Sequence, residues 1–277
     1  MSGDRFDLSG KVVVITGATK GMGATIADQF AERGARLVIN SRSQSDAQAK
    51  ADELNTRHGG GKIIAVAKAG SIAEKADLQG LVDTAIESFG KLTTLVLSPS
   101  GGIWLGSAID TPDEAIDDQF LHVFRSKFWI SSMAIPHMKQ AGGGSIIYIG
   151  SGSPFESTGE RCINTCARAA EVQLMKNLAA EFGKDNIRVN IIAPGMVQSH
   201  GAADLFASAA GRDRIAKLPM RRGGSTEEIA SAAVFLAADA SSFTTGGVIP
   251  VDGGRMLHAV YSLLTDSEGA AGGGGKH

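Results

Sequence analysis

Cysteine is nearly missing from this sequence: 277 residues hold two, Cys162 and Cys166. Two thiols make no disulfide framework, and such scarcity is expected of a chain kept in a reducing compartment. Aromatic residues are few, at 5% of the total, and no apolar run approaches the ~20 residues that cross a bilayer. The start, Met1-Ser2-Gly3-Asp4-Arg5, lacks the apolar stretch of a secretory signal. A net charge of −2 offers no basic surface to a nucleic acid. Together these absences predict a soluble, cytoplasmic protein with no membrane or nucleic-acid partner. No metal site is expected either, since two thiols without further ligands do not hold zinc. Small core positions are the reading for both cysteines.

What the chain has in excess is glycine, 36 residues, roughly twice the usual ~7%. Many follow apolar runs. The first group, Thr16-Gly17-Ala18-Thr19-Lys20-Gly21-Met22-Gly23, follows the β-branched run Val12-Val13-Val14-Ile15 and precedes apolar residues at helical spacing, Ile26, Ala27, Phe30 and Ala31. That order reads as buried strand, glycine turn, helix. Glycines there let backbone N–H groups approach a pyrophosphate, and the helix N-terminus adds partial positive charge.

The same alternation continues along the chain. Strands are expected at Ala35–Asn40, Lys62–Lys68, Leu92–Leu97, Ser145–Ile149, Ile187–Ala193 and Val248–Val251. Helices are expected at Ser45–Arg57, Ile72–Phe89, from Thr111 to about Lys139, at Arg161–Phe182, and from Ser225 to about Ala238. Thr111-Pro112-Asp113-Glu114 and Ser225-Thr226-Glu227-Glu228 have the spacing of capping boxes. The pattern predicts one α/β domain, a doubly wound parallel sheet of about seven strands with helices on both faces. Residues 195–224 interrupt it where a substrate lid is expected. The domain is placed at residues 1–262, and 263–277, rich in glycine, is read as a flexible tail.

With these motifs in this order, the sequence resembles the short-chain dehydrogenase/reductase family over nearly its whole length. The match runs through Thr16-Gly17-x-x-x-Gly21-x-Gly23, Asn190, Pro194-Gly195 and Val251-Asp252-Gly253-Gly254. The resemblance implies a Rossmann-type fold, a nicotinamide dinucleotide, a small-molecule substrate and a homo-oligomer, dimer or tetramer. In this fold an acid ending the second strand bonds the adenosine ribose of NAD. Here that strand ends Asn40-Ser41-Arg42, and Lys20 sits in the glycine turn. Two cations suit a 2′-phosphate, so NADP(H) is expected over NAD(H); two solvated surface cations are the alternative. The cofactor residues implied are Gly17, Thr19, Lys20, Gly21, Met22, Gly23, Ser41, Arg42, Arg168, Pro194, Gly195 and Ser199. Ala69-Gly70 stand where the family has an adenine-binding Asp, and Leu97-Ser98-Pro99-Ser100 replace its Asn-Asn-Ala-Gly.

The family's reaction uses a Ser, a Tyr and a Lys four residues after the Tyr. Ser151 matches the Ser, but the Tyr and Lys positions fall on Asn164 and Arg168. The i, i+4 spacing keeps both on one helix face, yet Asn has no proton to surrender near neutral pH and Arg stays charged. The family's active-site Asn on the long helix falls at His122 or Val123. His122 is a candidate proton relay, with a packed or surface histidine as the alternative. Tyr148 is read mainly as a packed residue and secondarily as a substitute acid. Glu156 and Glu160 lie where substrate approaches, or are solvated loop acids. The first expectation is an atypical NADP(H)-dependent oxidoreductase, acting on a carbonyl or conjugated small molecule without a Tyr proton donor. A redox-neutral enzyme (cyclase, isomerase or dehydratase) and a non-catalytic homologue are the alternatives.

Overall fold

The computed structural model describes residues 4–98, 102–156, 159–199 and 202–257. The expected tail lies outside them. A seven-stranded sheet is built from β1 (Val12–Thr16), β2 (Arg36–Ser41), β3 (Ala65–Ala69), β4 (Thr94–Leu97), β5 (Gly144–Ile149) and β6 (Ile187–Pro194), with a last strand at Val248–Val251. Every pairing is parallel, in the order β3-β2-β1-β4-β5-β6 with the last strand outermost. Parallel strands need crossovers, and here helices supply them on both sides.

The two-residue alternation of each strand divides the core. Val13, Ile15, Leu37, Ile39 and Ile147 face α1 (Gly21–Glu32), α2 (Gln44–His58) and a late helix at Thr226–Ala237. Val12, Val14, Leu95, Ile146 and Tyr148 face α3 (Lys75–Phe89), α5 (Ser126–Gln140) and α6 (Cys162–Phe182). Burial on both faces explains why central strands such as β1 and β4 read as continuous apolar runs.

Two local expectations are corrected. Thr111 does not cap a helix: α4 (Asp113–Phe120) has Pro112 at its N-cap position, without a side-chain cap. The Thr111 hydroxyl instead donates to the Ser107 carbonyl at 3.1 Å, closing the preceding 3₁₀ turn. Nor is the long helix continuous, because a π-helical turn at Leu121–Arg125 separates α4 from α5. The second capping box does form: Ser225 Oγ accepts from Glu228 N, and Glu228 Oε2 accepts from Ser225 N at 2.8 Å. The 195–224 interruption holds β7 (Val197–Gln198), α7 (Ala203–Ala207) and α8 (Ala209–Ala216), and returns at β8 (Gly224–Ser225) beside β7. The helix and strand that follow are α9 (Thr226–Ala237) and β9 (Val248–Val251).

Candidate functional site

The strand order reverses between β1 and β4, and such a switch point opens a crevice at the carboxyl ends of the strands. The glycine turn stands there. Gly17 and Gly21 have φ of 64° and 56°, in the left-handed region where a side chain is strained. Gly23 is required by contact, since a β-carbon on it would lie 2.2 Å from the Gly17 carbonyl oxygen. Between them Ala18 N donates to the Asn40 carbonyl at 2.9 Å, tying the turn to the end of β2. Lys20 is the N-cap residue of α1 and gives no side-chain cap, and the first turn carries no acid. The helix therefore keeps free N–H donors and uncompensated positive charge at the crevice. Thr19 and Met22 are half-buried beside it. Ser199 comes to the same place: its β-carbon is 3.9 Å from where a β-carbon on Gly21 would stand.

Lys20 and Arg42 are exposed and engage no protein partner among the described residues. The neighbouring Asn40 is spent internally, with Nδ2 donating to the carbonyls of Lys68 at 3.2 Å and Gly70 at 3.1 Å. Ser41 Oγ accepts from Ser43 N at 3.3 Å. Free cations, free N–H groups and no nearby acid in the turn suit a phosphorylated dinucleotide. Pro194 ends β6, and Gly195 N donates to the Val251 carbonyl at 3.0 Å. A β-carbon on Gly195 would meet Asp252 Cα at 2.5 Å, so only glycine lets β6 and β9 close beside the crevice.

On α6, Asn164 and Arg168 share the buried face, as their spacing requires. Asn164 Nδ2 donates to Gln119 Oε1 at 2.9 Å, and Gln119 Nε2 donates to the Gly102 carbonyl. Gln119 was not foreseen. It supplies an amide from the long helix one turn before His122 and Val123, where the family's Asn was expected. Ser151 is half-buried; its Oγ accepts from Ser153 N at 3.1 Å, leaving its hydroxyl hydrogen free to donate.

Beneath Ser151 lies a buried ionic cluster. Lys127 Nζ contacts Glu171 Oε1, and Arg168 Nη1 donates to Glu171 Oε2 at 2.8 Å. The carboxylate sits against the backbone, its Oε2 3.6 Å from where a β-carbon on Gly150 would stand. Burial pushes the Lys127 ammonium down to about 8, opposed by Glu171 and reinforced by Arg168. Gln119 and Lys127 are eight residues apart, about 80° on a regular helix. The wider π turn between them changes that phase, and both side chains meet α6.

The remaining candidates stand elsewhere. His122 is half-buried, with Nδ1 3.0 Å from the Asp118 carboxylate. No hydrogen bond among the described residues joins it to Ser151, Asn164 or Arg168. Tyr148 is fully buried, its hydroxyl 2.8 Å from Ser131 Oγ, and burial pushes its pKa up. Cys162 and Cys166 are both exposed, contrary to the core reading, because α6 turns Asn164, Ala167, Arg168 and Glu171 inward and these two outward. Glu156 pairs with Arg255 at 2.8 Å, while Glu160 is exposed with φ of 63°. Ser153 Oγ, Glu156 Oε1, Thr165 Oγ1 and Arg168 Nε are buried without a partner among the described residues, unmet polar atoms that fit a polar ligand. A separate polar cavity of about 330 Å³, lined by Lys11, Thr93, Gly144 and Arg188 among others, opens at the opposite ends of the strands.

Comparison with known proteins agrees with this geometry. The family model described as enoyl-(acyl carrier protein) reductase matches residues 17–256. The 7α-hydroxysteroid dehydrogenase of Escherichia coli is 33% identical, covering 91% of this chain and 97% of that one. Dehydrogenase/reductase SDR family member 4 of Bos taurus is 32% identical, over 92% and 90% of the two chains. Among solved structures, a 7α-hydroxysteroid dehydrogenase complexed with NADH and 7-oxo glycochenodeoxycholic acid superimposes with a TM-score of 0.85, at 31% identity over 92% of this chain and 98% of that one. A gluconate 5-dehydrogenase of Burkholderia cenocepacia with NADP and tartrate gives 0.83, at 28% identity and the same coverage, 92% and 98%. A glycine cradle at the switch point, a serine after β5 and full-length similarity to oxidoreductases leave one assignment: the chain belongs to the short-chain dehydrogenase/reductase family.

Proposed function

We propose that this chain is an NADP(H)-dependent oxidoreductase that interconverts a carbonyl or conjugated small molecule and its reduced form without a tyrosine proton donor. The observation that carries this reading is the combination of Lys20 and Arg42, both without a protein partner among the described residues, with an α1 N-terminus that has no side-chain cap and no acid in its first turn. The turn Gly17–Gly23 would hold the pyrophosphate, Lys20, Ser41 and Arg42 the 2′-phosphate, and Arg168, Pro194, Gly195 and Ser199 the nicotinamide half. The bound dinucleotide supplies the hydride.

Ser151 donates its free hydroxyl hydrogen to the substrate oxygen, where it stabilises developing negative charge. Asn164, pinned by Gln119, keeps one N–H to donate for the same purpose. Arg168 places a permanent cation beneath the site that cannot serve as the acid. Tyr148 is withdrawn from that role by its burial and its bond to Ser131. The proton therefore comes from water admitted to the site or from His122. Losing a positioned general acid costs about 10²–10⁴ in rate, so turnover is expected to be slow. The 195–224 segment is the proposed lid, and a second copy of the chain is the proposed partner, supported by the exposure of Phe243 and Leu257.

The test is a panel of ketones, aldehydes and enones, followed by loss of NADPH absorbance. Turnover removed by Ser151→Ala is the expected result. Tight NADPH binding with no turnover across the panel argues for a redox-neutral or non-catalytic role.

A further inference from the structure

The side chains of Lys127, Glu171 and Arg168 are 2%, 1% and 6% exposed. Burying three ionised groups is a poor way to gain stability, because the cost of removing them from water offsets their mutual attraction. The cluster carries one carboxylate between two cations, so one positive charge remains at the base of the site.

The division of the carboxylate is the informative feature. Glu171 gives Oε1 to Lys127 and Oε2 to Arg168 Nη1. Shared in this way, the carboxylate makes one bond to the guanidinium and not the two-bond fork that carboxylates often form with arginine. Arg168 Nε is left buried and without a partner among the described residues, although an unmet buried donor is costly. Among the described residues, Glu171 and Arg168 are the charged groups that act on Lys127. Tyr148 of β5 presents its ring, 5.4 Å from Nζ, while Leu78 of α3, Leu97 of β4 and Thr16 of β1 line the small cavity beside it.

We propose that Lys127 is a positioning residue for Arg168: by occupying one oxygen of Glu171 it limits that carboxylate to a single contact, and so keeps the Nε edge of the guanidinium free for oxygens of the bound dinucleotide. This rests on the dinucleotide reading above. Without the ammonium, Glu171 turns both oxygens to Arg168, satisfies Nε internally, and leaves the ligand to compete with it. The same release follows when Lys127 loses its proton, which burial brings within reach at about pH 8.

Calorimetric titration with NADP⁺ tests the proposal on wild type, Lys127→Met, Lys127→Arg and the double variant Lys127→Met/Glu171→Gln. Loss of a charge-assisted contact predicts binding weaker by about tenfold or more in Lys127→Met. Lys127→Arg should stay near wild type, and the double variant should recover most of the loss because the competing carboxylate is gone. Wild-type affinity should fall between about pH 7 and about pH 9, and that of Lys127→Met should fall less. Equal affinity in Lys127→Met and wild type, or no recovery in the double variant, overturns the proposal. If Lys127→Met fails to fold, the double variant and the wild-type pH dependence decide in the same way. A wild type that binds no dinucleotide defeats the functional reading instead. The positioning is then read from the Arg168 Nε–H resonance, which shifts between wild type and the double variant if Lys127 and Glu171 hold the guanidinium and stays fixed if they do not.

Discussion

Asn164 and Gln119 are joined side chain to side chain at 2.9 Å, and the orientation of both amides is dictated from outside the pair. The Gly102 carbonyl can only accept, so Gln119 must turn Nε2 toward it and Oε1 toward Asn164. Asn164 then has to present Nδ2. Asn164 is thereby locked as an amide with defined donor and acceptor ends, which a free asparagine would not be.

Gln119→Ala removes that lock and leaves a buried donor unmet, at a cost of about 1–3 kcal/mol. The expected outcome is a fall in kcat of about tenfold or more, with dinucleotide affinity changed by less than about threefold. Steady-state kinetics beside a binding titration separates the two. Equal losses in both would mean that Gln119 supports the fold rather than Asn164.

Lys20→Ala and Arg42→Ala should each weaken NADPH binding by roughly tenfold or more, the worth of a charge-assisted hydrogen bond. NADH binding should barely change, because it has no 2′-phosphate. Parallel losses for both dinucleotides would assign these cations to some other part of the ligand.

Gly23→Ala and Gly21→Ala should differ sharply. At Gly23 the added β-carbon meets the Gly17 carbonyl at 2.2 Å, and backbone has to move. At Gly21 the nearest atom is 3.9 Å away, and the cost is the left-handed φ alone, about 1–2 kcal/mol. Thermal unfolding should show a small loss for Gly21→Ala and a much larger one for Gly23→Ala.

Burial sets the sign of the pH dependence at Lys127. Its folded-state pKa, about 8, lies below the unfolded value of 10.5. Between those two values the unfolded chain holds more protons, so this group makes stability rise with pH across that window. Urea unfolding should show that rise in wild type and not in Lys127→Met. Glu171→Gln should be the damaging change, by about 3–5 kcal/mol, because it leaves two buried cations without their counter-charge. Parallel pH curves for wild type and Lys127→Met would contradict this.

The sheet was legible because burial on both faces writes central strands such as β1 and β4 as uninterrupted apolar runs; the half-buried edge strand Val248–Val251 is also found where expected. Ser225 and Glu228 carried their helix start locally, in four residues. Thr111 misled because the same local pattern lost to a competing acceptor, the Ser107 carbonyl. At the site, the shared face of Asn164 and Arg168 followed from helical spacing alone. The Gln119–Asn164 and Lys127–Glu171 contacts did not, because each joins side chains more than forty residues apart in sequence; the Arg168–Glu171 pair, three residues apart, was open to the same helical reading. Their one local trace is a polar or charged residue on a helix face otherwise made of Ile130, Ala134, Ala167 and Val172. Cys162 and Cys166 were misplaced because small size resembles core packing until the buried face of α6 is known.

The most direct test of the account is a paired titration of the wild-type protein with NADPH and NADH. Lys20 and Arg42, without a protein partner among the described residues, and the uncapped N-terminus of α1 predict NADPH binding tighter by about tenfold or more. Equal affinity for the two, or binding of neither, would contradict the assignment on which the rest depends.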